Sequence, residues 1–284
     1  MKILVTASTG TIGSRVVTKL RNRSQVEVLE GCRQPQKAGQ IQFNFDNANV
    51  VLSALKNVEK AVLITPASPQ ELETGVRFVQ SAKAAGLKHL VFMSIHRVED
   101  APAIPHFASK IAIQKELEKS GLKWTTISPN NFYQNDYFFK SSLLDHGVYP
   151  QPFGNIGLSR VDANDIADAL VQALFKEELS GQIFPLIGPE SLTVNQTCEL
   201  YGHYLGRPIQ YGGDDLERWY ENNKSYLPEW LLNDWKQMYM FFQRQGLKAT
   251  VADYIQQEKI LNHPPKSFER FVKETVLDWK KETL

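Results

Sequence analysis

The 284-residue sequence predicts an α/β fold: a doubly wound parallel sheet with helices on both faces, and a smaller, mainly helical second domain. Three observations predict it. Short apolar runs alternate with helix-periodic segments through the first half of the chain, the pattern of repeated strand–helix–strand units. The first run, KILVT at 2–6, opens directly into a glycine-bearing turn and an amphipathic stretch. After Pro129 the alternation stops; most of the remaining chain is helix-periodic and holds Trp219, Trp230, Trp235 and Trp279.

Each element has its own warrant. The run at 2–6 is continuously apolar, as a strand covered on both faces must be. Ile12, Val16, Val17 and Leu20 then share one helical stripe. Strands are expected at 26–32, at 41–45, at 61–65 before Pro66, and at 89–94. Between the last two, Leu72, Val76, Val79 and Ala82 predict a helical face that stops at Gly86. The segment carrying His106 and Lys110 is the next helix, and WTTIS at 124–128 the next strand. Downstream, YPQPFGNIG reads as a loop, and 165–175 as a helix with Asp165 near its start, where a carboxylate caps free N–H groups. A short strand at 183–188 and a helix at 191–206 come next.

Composition narrows the function. The 32 basic and 31 acidic residues leave a net charge of +1, which gives no electrostatic footprint for nucleic acid or an anionic membrane. No run reaches the roughly 18 apolar residues of a membrane span. The opening MKILVT is too short for the apolar region of a secretion signal, so a soluble cytoplasmic protein is expected. Cys32 and Cys198 cannot build a disulfide framework or a four-sulfur zinc site, and are expected as buried free thiols. His96 reads as a surface-loop residue; with His106 it lacks a third ligand, so no metal site is expected.

The first turn, TASTGTIG at 6–13, joins a buried strand to a helix, where backbone N–H groups and the helix dipole favour a phosphate. Gly10 and Gly13 fill two of the three usual glycine positions of a Rossmann-type dinucleotide site; Ala7 stands at the first. Its methyl group predicts a slightly wider turn without positive φ. At the end of the second strand, GCRQPQK places Glu30 before Gly31, and Arg33 and Lys37 beyond the strand end. A guanidinium grips phosphate with two parallel hydrogen bonds, so NADPH (NADP) is expected over NADH.

Together these segments resemble the NmrA-like branch of the atypical short-chain dehydrogenase/reductase superfamily, which includes NADPH-dependent quinone oxidoreductases and cofactor-sensing regulators. The resemblance runs from ILVTASTGTIGSRVV through SAKAAGLKHLVFMS, ISPNNFYQN, VDANDIADAL and IGPESLTVNQ to the segment at 244–272. It implies that Thr9, Gly10, Thr11, Ile12 and Gly13 surround the pyrophosphate and that Arg33 and Lys37 face the 2′-phosphate. It also implies Asp46 near the adenine, Thr65 and Pro66 beside the nicotinamide ribose, Lys110 on the ribose hydroxyls, and Asn131 and Phe132 at the nicotinamide end. Ser94 matches a serine often kept at the end of the fifth strand. The expected domains are 1–129 plus about 159–187 for the cofactor, and about 130–158 plus 188–284 over the substrate.

The sequence departs from the superfamily at HFASK. Many nicotinamide enzymes carry a tyrosine four residues before the lysine; here His106 stands one helical turn before Lys110. Histidine is able to transfer a proton near neutral pH, so His106, Lys110 and Ser94 are the catalytic candidates. The resemblance implies reduction of a small organic acceptor, quinone-like, as the leading expectation; a quinone needs little help from an acid and would tolerate His106 in place of tyrosine. A non-catalytic NADP(H) sensor is the alternative, and a sugar-nucleotide epimerase or dehydratase the third. The partner expected is a small-molecule acceptor, with a homodimer or a regulatory protein partner left open.

Overall fold

A run of apolar residues with no polar face has to be covered on both sides. In the computed structural model, which describes residues 1–282, the run at the start of the chain becomes β1 (Lys2–Val5), an interior strand with Ile3, Leu4 and Val5 buried. Its sheet continues with β2 (Glu27–Cys32), β3 (Gln40–Gln42), β4 (Lys60–Leu63), β5 (His89–Met93), β6 (Lys123–Pro129) and β7 (Gln182–Leu186). The order is β3-β2-β1-β4-β5-β6-β7, and every neighbouring pair is parallel. Pro185, which has no N–H to donate, lies in the edge strand β7, where a missing ladder donor is tolerated. The fold class expected from the alternation is the one observed.

The helices α1 (Thr11–Arg21), α2 (Ala48–Lys56), α3 (Glu71–Ala84), α4 (Pro105–Lys119) and α5 (Ala163–Phe175) cover the sheet. On one face, Leu4, Ala61, Leu63, Leu90 and Phe92 pack with Val51 and Leu55 of α2, Phe78 and Ala82 of α3, and Ile113 and Leu117 of α4. Side chains alternate along a strand, so Ile3, Val5, Val62 and Val91 serve the other face, where α1 and α5 pack together.

Three local expectations need correction. β3 ends at Gln42 rather than 45: Phe43 and Phe45 leave the ladder and bury their rings edge-on at 5.1 Å, both against Phe78. Helix α2 was not anticipated, although Asn47 signals its start by accepting from the N–H groups of Asn49 and Val50 at 3.1 and 3.2 Å. The buried face of α3 holds Val79 and Ala82 as expected but differs in its first two turns. Leu72 is 43% exposed, whereas Glu71, Thr74, Gly75 and Phe78 face inward with Val79 and Ala82.

Contacts divide the chain into two units. The first comprises Met1–Pro129, Ala163–Leu186 and Ile255–His263; the second comprises Asn130–Asp162, Ile187–Tyr254 and the chain from Pro264. The second unit contains α6 (Val194–Leu205), α7 (Leu216–Asn223), α8 (Glu229–Gln245), the first residues of α9 (Val251–Ile260), and α10 (Phe268–Glu282). Tyr149, in the stretch expected as a loop, belongs to a two-residue strand paired with Gln210–Tyr211. At the centre of this unit lies a fully buried ion pair, Arg160 Nη2 to Asp136 Oδ1 at 2.7 Å. The hydroxyls of Tyr149 and Tyr201 donate to the same carboxylate at 2.8 and 3.0 Å, and the ring of Phe268 stacks under the guanidinium. Burial is the largest single influence and opposes the guanidinium's charge, but Asp136 together with Tyr149 and Tyr201 outweighs it and holds Arg160 above its ordinary value.

Cys32 and Cys198 are buried and free, as expected; burial pushes the Cys198 thiol up to about 12. Among the described residues no helix is long and apolar enough to cross a membrane.

Candidate cofactor site at the carboxyl edge of the sheet

All seven strands of the sheet run the same way, so the residues that follow β1, β2, β4 and β5 share one edge of it. In open sheets of this kind that edge is where ligands bind. The glycine-bearing turn follows β1 and is fixed to the strands on either side. Thr6 N–H donates to Val62 O at 3.1 Å, and its hydroxyl donates to Ile64 O and accepts from Ile64 N–H, both at 2.8 Å. Ser8 reaches the other way, its N–H and hydroxyl both donating to Gly31 O.

The turn itself corrects one expectation. Ala7 adopts φ +47°, the left-handed conformation that its methyl was expected to exclude. The hydrogen bond from Gly10 N–H to Ala7 O at 3.0 Å closes the turn and keeps Ala7 there. Gly13 follows from the same compactness. A Cβ at that position would sit 2.2 Å from Ala7 O, so only glycine lets α1 approach the turn. Gly10 caps α1, Ser14 N–H is the first to bond back to it, and the N–H groups of the first turn have no helical carbonyl to meet. Thr9, Gly10 and Thr11 are exposed, and the first turn of α1 carries no acidic residue. Ile12 contributes only backbone here, because its side chain is in the core. The donor set is one of N–H and hydroxyl groups with no carboxylate, and it fits a phosphate.

Beyond β2, Arg33 is exposed and has no ion-pair partner among the described residues. Lys37 is also exposed, but its ammonium lies 3.9 Å from Glu30. Glu30 is 2% exposed and already accepts from Arg21 and from Gln40 at 3.4 Å. This carboxylate is therefore committed within the protein and does not stand free for ribose hydroxyls. Asp46 is exposed after Phe45, its N–H held by Asn44 Oδ1 at 3.0 Å.

After β4 the chain presents Thr65 and Pro66. Thr65 is 8% exposed and donates its hydroxyl to Glu71 Oε1 at 2.5 Å. Lys110, one turn into α4 from His106, donates to Thr65 and pairs with the same Glu71 oxygen at 2.8 Å. Lys110 and Glu71 are 6% and 5% exposed. The helices meet closely enough because Gly75 sits one turn beyond Glu71; a Cβ there would lie 2.2 Å from Ile113 Cδ1. Lys110, expected to hold ribose hydroxyls, thus has a protein carboxylate as its nearest charged partner. Sequence reasoning missed Glu71. Its one sequence signal was an acid in the first turn of a helix, which ordinarily reads as a dipole partner on the surface.

Ser94 is buried directly after β5, its N–H donating to Ile127 O at 2.8 Å. His96 was expected on a surface loop but is only 2% exposed, tied to β6 by its N–H on Pro129 O at 2.9 Å. His106 is half-buried in the first turn of α4, its ring edge-on to that of Phe107. Asn131 and Phe132 belong to the second unit, where the Asn131 side-chain oxygen accepts from Arg160 Nε at 3.1 Å and Phe132 O accepts from Arg160 Nη2 at 2.8 Å.

Comparison with known proteins places these observations in a wider set. The model of the NmrA-like family matches residues 1–271. An NAD(P)H azoreductase of Xenophilus azovorans is 28% identical over 282 residues, covering 95% of this chain and 96% of the azoreductase. Among solved structures, the NADPH-dependent quinone oxidoreductase of Escherichia coli complexed with NADPH superposes with a TM-score of 0.85 at 21% identity, covering 96% of this chain and 99% of that one. NmrA, described as a negative transcriptional regulator and solved with NADP, gives 0.80 at 18% identity, covering 100% and 98% of the two chains.

Proposed function

The chain belongs to the NmrA-like family, and on that premise we propose that it is an NADPH-dependent oxidoreductase that reduces a small organic acceptor, quinone-like in its chemistry. The observation that carries this reading is the donor-only turn at Thr9–Gly13, fixed to β2 and β4 and flanked by the exposed Arg33. The backbone amides around Gly10 and Gly13 would hold the pyrophosphate, with Thr9 and Thr11 adding hydroxyls. Arg33 would grip the 2′-phosphate, helped by Lys37, whose charge is partly engaged by Glu30. Asp46 falls to the adenine end, and Thr65, Pro66 and Lys110 to the ribose end, in this assignment. The bound cofactor supplies two electrons and one proton as hydride. The acceptor needs one further proton, for which His106 is the candidate donor and solvent the alternative source. Ser94, buried at the end of β5, is assigned a supporting hydrogen-bonding role.

Quinones suit this arrangement because charge arriving on a quinone is spread over its ring, which reduces the need for a strong acid. A non-catalytic NADP(H) sensor is the second reading, and His106 at the position of the superfamily's tyrosine favours it.

Calorimetry with NADPH and NADH, and NADPH oxidation followed across quinones, azo compounds and aldehydes, test both readings. NADPH should bind the more tightly, by about tenfold or more, and Arg33→Ala should abolish that preference, consistent with the loss of a charge-assisted bidentate contact. Turnover that falls in His106→Ala supports the enzyme. Tight binding with no turnover on any acceptor supports the sensor. Equal affinity for the two cofactors refutes the assignment of Arg33.

A further inference from the structure

Glu71, Thr65 and Lys110 form a buried cluster with one carboxylate, one hydroxyl and one ammonium, contributed by α3, the end of β4 and α4. The cluster stands at the same edge as the phosphate turn. Thr65 directly follows Ile64, which exchanges hydrogen bonds with Thr6 at the root of that turn. A charge within the cluster is poorly screened, because all three side chains are less than one-tenth exposed. With Glu71 Oε1 2.8 Å from Lys110 Nζ, the two charges cancel locally. Remove either partner and a full unit of charge faces whatever ligand the edge holds.

We propose that Glu71 is a positioning residue that cancels the charge of Lys110, so that the site holds the oxidised and reduced forms of the nicotinamide cofactor with nearly equal electrostatic preference. The inference rests on the cofactor reading proposed for this edge and adds to it a residue and a property. The oxidised nicotinamide ring carries a positive charge that the reduced ring lacks. An uncancelled lysine at this edge would therefore disfavour NADP+ relative to NADPH, and would retain NADPH after binding but hinder product formation. The Glu71–Lys110 pair removes that bias. It also leaves no net positive charge from Lys110 to stabilise an oxyanion on the acceptor, which suits acceptors that delocalise charge themselves.

The test is the ratio of dissociation constants, Kd(NADP+)/Kd(NADPH), measured by calorimetry on the full chain without acceptor. Glu71→Gln should raise the ratio by about tenfold, the size of one poorly screened charge acting across the edge. Lys110→Met should lower it, because Glu71 is then the uncancelled group. The double variant Glu71→Gln/Lys110→Met should return it towards the starting value. The opposite signs of the single variants keep the test open if one of them fails to fold. A merely structural role for Glu71 would weaken both nucleotides alike. A ratio that stays within about twofold in every variant that folds and still binds overturns the proposal while leaving the cofactor reading intact. Failure of the unaltered chain to bind either nucleotide overturns the cofactor reading, and this proposal with it.

Discussion

Ala7 shows how much one residue's conformation depends on its neighbours. Alanine in the left-handed region costs on the order of 1 kcal/mol, and the sequence argued that the chain would avoid it. The closing bond from Gly10 N–H to Ala7 O and the approach of α1 at Gly13 hold it there instead. Ala7→Gly should therefore stabilise the protein by about 1 kcal/mol or slightly less, since glycine relieves the strain but loses more freedom on folding. A shift in the denaturant midpoint reads this, and destabilisation would show that Ala7 is unstrained. The tight turn at Gly10 and Gly13 was legible in the sequence because turn geometry is local. Glu71 and His96 were not. The charged partner of Glu71 lies on another helix, and His96 is buried beside the end of β6, where its N–H bonds to Pro129 O.

At the scale of elements, the amino edge of the sheet carries its own electrostatics. His89 opens β5 fully buried, with Nε2 3.1 Å from Thr125 Oγ1 and Nδ1 without a hydrogen-bond partner among the described residues. Burial above all, helped by the Lys60 and Lys123 ammonium groups and opposed by Glu177, lowers its pKa from 6.5 to about 4. Lys60 is itself held by Leu174 O at 2.7 Å and by Glu177 at 3.0 Å. A depressed folded value means that, between about 6.5 and 4, the unfolded chain binds a proton that the folded one refuses. The stability associated with neutral His89 is complete above about pH 6.5 and is lost as pH falls towards 4. The melting temperature should accordingly drop more steeply across that window in the unaltered protein than in His89→Gln. Parallel slopes would remove His89 from the account. Helix α3 carries a second lesson at this scale. Leu72, Val76, Val79 and Ala82 suggested its buried stripe; Val79 and Ala82 are buried, but in the first two turns the pairing of Glu71 with Lys110 and the close approach at Gly75 put Glu71 and Gly75 inward in place of Leu72 and Val76.

Taken whole, the molecule combines a unit organised by apolar strands with a unit organised around a buried charge. In the second, Arg160 and Asp136 are wholly enclosed, and they also hydrogen-bond with Tyr149, Tyr201, Asn131 and the Phe132 and Tyr133 carbonyls. Asp136→Asn should cost about 3–5 kcal/mol, because it leaves a guanidinium buried without its counter-ion. Replacing the pair by Asp136→Leu with Arg160→Met should cost less than the single change, since no buried charge is then left unpaired, but not nothing, since the Tyr149 and Tyr201 hydroxyls lose their acceptor. Denaturant unfolding followed by tryptophan fluorescence compares the two; a single variant as stable as the unaltered chain would contradict this account of the unit's core. Nothing in the sequence marked Arg160 for this role, and Asp136 sat in a stretch legible only as aromatic and polar. By itself the sequence determined the strand–helix alternation, the parallel sheet that results from it and the glycine-bearing turn that joins β1 to α1, because periodicity and backbone chemistry act over a few neighbouring residues. Only the tertiary structure decided which charged side chains are buried and with whom, because ion pairs such as Lys110–Glu71 and Arg160–Asp136 join residues that the chain brings together only after its helices and loops have packed.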